Sequence, residues 1–260
     1  MSDANRRAQA VIDGEFGGRR ALFGNLEEVH MRLPGPLIVP LAACTLGVGC
    51  NSGTTSPNAG LAHLRVVNAA TTGGPVSVFI DGGQVTLSIA PATSSATLPV
   101  LAGTRTLELR TTGGFGLTRS IVFTDNADVV AVGIDSAGGV APEVLSDTNA
   151  IVPAGASKLR VAHMAQHAGP IDIWRTQPDW ATPIRVQFPF PYRAISPYLQ
   201  STPGDWRILV SDTVPVATPN APMPDTLADS GPIPVTDGTS ATVVVVDKPG
   251  GGVTFVVVRP

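Results

Sequence analysis

Residues 64–79 and 159–174 spell one segment twice, and this duplication constrains the fold more than anything else in the chain. The first copy reads Leu64-Arg65-Val66-Val67-Asn68, then Gly74-Pro75-Val76-Ser77-Val78-Phe79. The second reads Leu159-Arg160-Val161-Ala162-His163, then Gly169-Pro170-Ile171-Asp172-Ile173-Trp174. Without a gap, 6 of 16 positions are identical. Self-similarity at a fixed spacing predicts a structural unit used twice. The sequence therefore predicts two similar domains in tandem, residues 62–150 and 156–260, joined near Pro153-Ala154-Gly155.

Within each copy the apolar residues alternate. Val76, Val78 and Ile80 lead into Asp81-Gly82-Gly83, a turn rich in positive-φ residues, and Val85, Leu87 and Ile89 alternate on the way back. This is the pattern of a β-hairpin. Gly103 and Gly204 each open a further strand. Val130–Ile134 before Asp135 matches Val243–Val246 before Asp247. Helical periodicity is missing over any long window. The fold class expected is all-β: two antiparallel β-sandwiches of the immunoglobulin-like kind, each with about seven short strands. The Pro-rich stretch 213–235 reads as an irregular excursion over the surface.

Composition narrows the function classes. Charged residues make up 14% of the chain, the net charge is −3, and the only lysines are Lys158 and Lys248. No basic face is available for a phosphate backbone, so nucleic-acid binding is not expected. The only cysteines, Cys44 and Cys50, lie outside both copies. The β-units are expected to be stable without disulfides or thiolate metal sites.

The N-terminal 50 residues carry a different signal. Residues 1–30 have mixed charge and no period, and Met31 is an alternative start. Arg32 precedes the apolar run Leu37-Ile38-Val39-Pro40-Leu41-Ala42-Ala43, the layout of a secretory signal. The run is shorter than the roughly 20 residues of a membrane span. Leu41-Ala42-Ala43-Cys44 resembles the lipobox of bacterial lipoproteins, in which the cysteine is acylated. Leu46-Gly47-Val48-Gly49-Cys50 is a poorer second match after a longer apolar run, so the acylated residue is Cys44 or Cys50. Residues 51–61 are small and polar and read as a flexible tether. The expected location is the cell envelope, exported and held to the membrane by lipid.

The segments Val161-Ala162-His163-Met164-Ala165 and Gly169-Pro170-Ile171-Asp172-Ile173-Trp174 resemble the opening of the DUF4397 family. The first copy resembles it through Val66-Val67-Asn68-Ala69-Ala70 and Val76-Ser77-Val78-Phe79-Ile80-Asp81-Gly82, with Asn68 where the family has His. The resemblance implies exported, often lipid-anchored proteins with immunoglobulin-like folds. It implies no catalytic residues.

Candidate chemistry is sparse. His163 and His167 are four apart, but a strand end leading into a loop does not set them as metal ligands, so no metal or cofactor is expected. Asp81, Asp135, Asp172 and Asp247 recur near strand ends, where carboxylates bond turn amides. No nucleophile elbow, phosphate-cradling loop or HExxH motif occurs, so no enzymatic activity is expected. The strongest lead is aromatic. Trp180, Phe190, Tyr192 and Tyr198 could form a recognition surface for a glycan or an envelope protein. Trp174 and Trp206 are expected to fill the second core.

Overall fold

A computed structural model describes residues 60–114, 116–145, 152–177, 182–214 and 223–259. Cys44, Cys50, the tether up to residue 59 and Trp180 lie outside these residues. The first half contains β1 (Leu61–Asn68), β2 (Val76–Ile80), β3 (Gly83–Ile89), β4 (Thr93–Ser94), β5 (Leu98–Leu101), β6 (Gly103–Thr111), β7 (Gly116–Phe123), β8 (Asp128–Ser136) and β9 (Gly139–Leu145). The second contains β10 (Ser157–His163), β11 (Ile171–Thr176), β12 (Ile184–Phe190), β13 (Leu199–Ser201), β14 (Gly204–Asp212), β15 (Thr226–Asp229), β16 (Ile233–Val235), β17 (Ser240–Asp247) and β18 (Val253–Val258). A 3-10 turn at Gln166–Ala168 is the only helical element among the described residues.

The halves pair their strands alike. β2 lies between β3 and β6, as β11 lies between β12 and β14. β5 pairs antiparallel with β1, as β13 does with β10. β8–β9 and β17–β18 are hairpins. In both, the first strand runs parallel to the penultimate one, β1 with β8 and β10 with β17. This corrects the purely antiparallel reading. Alternating residues look the same in either pairing, and only the route of the intervening chain decides direction. A serine repeats as well. The Val66 amide donates to Ser95 Oγ at 3.0 Å, and the Val161 amide to Ser196 Oγ at 2.9 Å.

Closure separates the halves. In the first, a single parallel bridge, Gly116 to Val140, links β7 to β9. All nine strands thereby join one curled sheet, a half-barrel rather than two facing sheets. Gly116 also packs tightly against β6: a Cβ there would stand 2.0 Å from the Leu109 carbonyl oxygen. The second half has two main sheets, β13-β10-β17-β18 and β12-β11-β14-β15. In place of β7 it has β15 and β16, both paired to β14. The stretch read as irregular, 213–235, therefore contributes two strands, and Ile233 and Val235 are buried in the core. Its prolines mask a strand signal because β15 and β16 are short edge pieces, where proline is tolerated.

Residues 52–260 form one compact unit. The first core gathers Leu64, Val66, Val78, Leu107, Leu109 and Phe123. The second gathers Val161, Ile173, Trp206, Ile208, Val243 and Val245. A third lies between the halves. Val67, Val132, Ile134 and Leu145 meet Ala162, Met164, Val244 and Val246 there. This explains why β17 reads Val243-Val244-Val245-Val246 without alternation: odd-numbered valines face the second core and even-numbered ones the interface. A strand buried on both faces reads as a continuous apolar run. Each aliphatic side chain so buried stabilises by about 1.5–3 kcal/mol.

The expected β2–β3 hairpin forms, with Asp81 at φ 50° and Gly82 at φ 81° supplying the turn. Its register shifts between Val76 and Val78 and again before Phe79. The alternation expected of Val85 and Ile89 is lost: Ile89 is buried and Val85 is 42% exposed.

Candidate functional site

β1 and β10 both run away from Gly60, the first described residue. The loops that follow them, and those that follow β8 and β17, gather at the far end, about 26 Å along an eight-residue strand. Two aspartates organise this end. Asp135, at the end of β8, accepts hydrogen bonds from the Thr71 amide and hydroxyl, both at 2.7 Å, and from the amide and hydroxyl of Thr72. Burial pushes its carboxyl up, but the Thr72 and Thr71 hydrogen bonds outweigh burial and hold it below the usual range. Asp247, at the end of β17, accepts from the His167 amide at 3.3 Å and faces His167 Nδ1 at 3.1 Å. The expectation that strand-end carboxylates bond turn amides holds for both. Asp81 instead accepts from the Thr106 amide within β6, and Asp172 accepts from the Val214 amide beyond β14 while pairing with the Arg185 guanidinium.

Between these loops lies a cleft of about 260 Å³. Thr71 and Pro91 of the first half form one wall, and His167, Lys248 and Gly250–Gly252 of the second form the other. The glycines have φ of 92°, 112° and 79°, a backbone that other residues rarely adopt. Hydrogen bonds from the Gly251 amide to the Lys248 carbonyl and from the Lys248 amide to the Gly252 carbonyl, both 2.9 Å, fix the loop.

His163 is fully buried beneath this end. Its Nε2 lies 2.7 Å from the Gly169 carbonyl, and Nδ1 accepts from the Ala165 amide at 3.3 Å. Those partners set the neutral Nε2–H tautomer. Burial pushes its pKa down, opposed by the Gly169 carbonyl and the Asp247 carboxylate. Among the described residues no group of three metal-ligating side chains is gathered, here or elsewhere.

The aromatic residues do not form one surface. Phe190 is 4% exposed and belongs to the second core, stacked on His163 at 6.2 Å between ring centroids. This corrects its placement on a recognition face: it closes the β11–β12 pairing against Ile171 with its ring turned inward. Tyr192 is half-buried, edge-on to His163 at the cleft end. Burial raises its hydroxyl pKa. Tyr198 lies at the opposite end, its ring 4.8 Å from the Arg160 guanidinium. Trp206 fills the second core as expected and donates to Ser157 Oγ. Trp174 is buried but on the other face of β11, where its Nε1 donates to Ser211 Oγ at 2.9 Å. Sequence reasoning missed the cleft because its residues come from four separate loops; only the glycine run at 250–252 marked it.

Residues 62–174 match the model of DUF4397, a domain of unknown function. The match runs beyond the first half and ends on Trp174, the last residue of the duplicated segment. No curated protein matches the chain. Among solved structures, the chain is similar to the Bacillus anthracis TIE protein at 8% identity and a TM-score of 0.23. The alignment covers 72% of this chain and 34% of that one, so this chain spans about a third of its length. It is also similar to a family 26 carbohydrate-binding module of Eubacterium rectale Amy13K, crystallised with maltoheptaose. Identity there is 12%, coverage 76% and 97%, and the TM-score 0.23. The tip fimbrial protein Mfa3 of Porphyromonas gingivalis aligns at 11% identity, with coverage of 77% and 100% and a TM-score of 0.23. No helix among the described residues is long and apolar enough to cross a membrane.

Proposed function

We propose that the protein is a non-enzymatic, lipid-anchored envelope protein that presents a binding end away from the membrane. Both halves are read as copies of one DUF4397-like β-module. The paired roles of Ser95 and Ser196, and of Asp135 and Asp247, support that reading. The observation that carries the proposal is directional. Cys44 and Cys50 precede Gly60 in the sequence, while the cleft and its loops lie at the far ends of β1 and β10. An acyl chain at Cys44 or Cys50 would hold the Gly60 end at the bilayer and turn the cleft outward. The buried interface between the halves would keep them from hinging. The role is contact with a surface glycan or an envelope protein. A glycan platform built from second-half aromatics draws no support, because Phe190 is in the core and Tyr192 and Tyr198 lie at opposite ends.

The test is metabolic labelling with an alkyne fatty acid in a bacterial host, followed by membrane fractionation. The wild-type chain is expected to carry the label and sediment with membranes. Cys44→Ser is expected to lose both, with Cys50→Ser as the alternative site. An unlabelled wild-type chain, or a label that survives the double substitution, would overturn the proposal.

A further inference from the structure

We propose that the cleft between the halves binds a sugar carrying a carboxylate or phosphate. Its occupant must supply an anion and a hydroxyl together. Lys248 provides the cation. It is exposed, lines the cleft, and has no ion-pair partner among the described residues. His167 provides the second contact. Its Nδ1 faces the Asp247 carboxylate, so in the neutral ring Nδ1 holds the proton and Nε2 keeps its lone pair. The ring is 67% exposed. That lone pair accepts from a hydroxyl and would not accept from a bare anion.

Asp247 keeps its negative charge but is recessed, whereas the Lys248 side chain is exposed to an occupant. The Asp247 carboxylate is 7% exposed and is occupied by the His167 amide and ring. Gly250–Gly252 leave their own stretch of the second-half wall without side chains. A Cβ at any of them would meet nothing within 4 Å, so a pyranose ring has room to lie against bare backbone. At about 260 Å³ the space falls below the roughly 300–1,000 Å³ of drug-sized ligand sites. It suits one ring or the end of a chain.

This inference rests on the proposed outward-facing binding end, but its test does not depend on lipidation. The purified full chain is titrated calorimetrically with glucuronate, glucose 6-phosphate, glucose and acetate. At least one of the first two is expected to bind about tenfold or more tightly than glucose and acetate. Which of the two binds separates carboxylate from phosphate. Lys248→Gln is expected to reduce that affinity to the level of glucose. His167→Phe should reduce sugar-acid binding while leaving acetate unchanged. Both side chains are exposed, and circular dichroism checks that the variants fold. No binding of either anionic sugar, acetate binding as tightly as glucuronate, or full affinity in Lys248→Gln would each overturn the proposal. An unlabelled chain that binds glucuronate would sink the envelope reading alone.

Discussion

Asn68 and His163 occupy the same position in the two halves and make two hydrogen bonds in common. Asn68 Oδ1 accepts from the Ala70 amide at 3.1 Å, as His163 Nδ1 accepts from the Ala165 amide at 3.3 Å. Asn68 Nδ2 donates to the Gly74 carbonyl at 3.2 Å, as His163 Nε2 does to Gly169. Asn68 also donates to the Ile89 carbonyl at 2.9 Å. Both side chains are fully buried. One chemical task, a donor and an acceptor held one ring-width apart, is met by an amide in one half and by a neutral imidazole in the other.

His163→Asn is therefore expected to fold, whereas His163→Ala leaves the Ala165 amide and the Gly169 carbonyl unpaired, at about 1–3 kcal/mol each. The variants also differ in pH response. The folded pKa of His163 lies below its ordinary value. Its contribution is complete above about pH 6.5 and is lost as pH falls toward the folded pKa, because only the unfolded chain takes up the proton. Urea unfolding between about pH 7.5 and 5.5 should show wild-type stability falling and His163→Asn falling less. Identical slopes would contradict the assignment.

Asp172 and Arg185 form a buried ion pair at 2.6 Å, with side-chain exposures of 0% and 1%. The Val214 amide donates to Asp172, and Arg185 donates to the Val214 carbonyl. Removing either partner strands a buried charge. Asp172→Ala is expected to cost about 3–5 kcal/mol, and an apolar replacement of both residues considerably less. Chemical denaturation of the two single variants and the double variant measures the difference. Equal, additive losses would argue against a coupled pair.

The apolar interface makes the two halves one cooperative unit. Met164 is 1% exposed within it. Met164→Ala should cost about 2–5 kcal/mol, and calorimetry of the wild-type chain should record one transition. Met164→Arg should split it in two. Two transitions in the wild type would show that each half stands alone.

Gly116→Ala places a Cβ against the Leu109 carbonyl, which is backbone and cannot rotate aside. The Gly116–Val140 bridge should be lost and stability reduced by roughly 1–3 kcal/mol. Amide exchange at Val140 should quicken more than exchange in β17. Unchanged protection at Val140 would remove the bridge from the account of closure.

The sequence by itself determined the β class and most strand positions, because alternation and turn glycines are local properties of the chain. Strands opening at Gly103 and Gly204, the one that runs through Asp135 to Ser136 and the one that ends on Asp247 lie where the pattern places them. Tertiary structure alone decided what depends on distant partners. Val85 turns outward because the register shifts against β2. Phe190 turns inward because Ile171 and His163 stand beside it. The parallel pairing, the curled sheet and the cleft arise the same way. Each is set by which strands and loops meet across the fold, and that information is written at no single position along the chain.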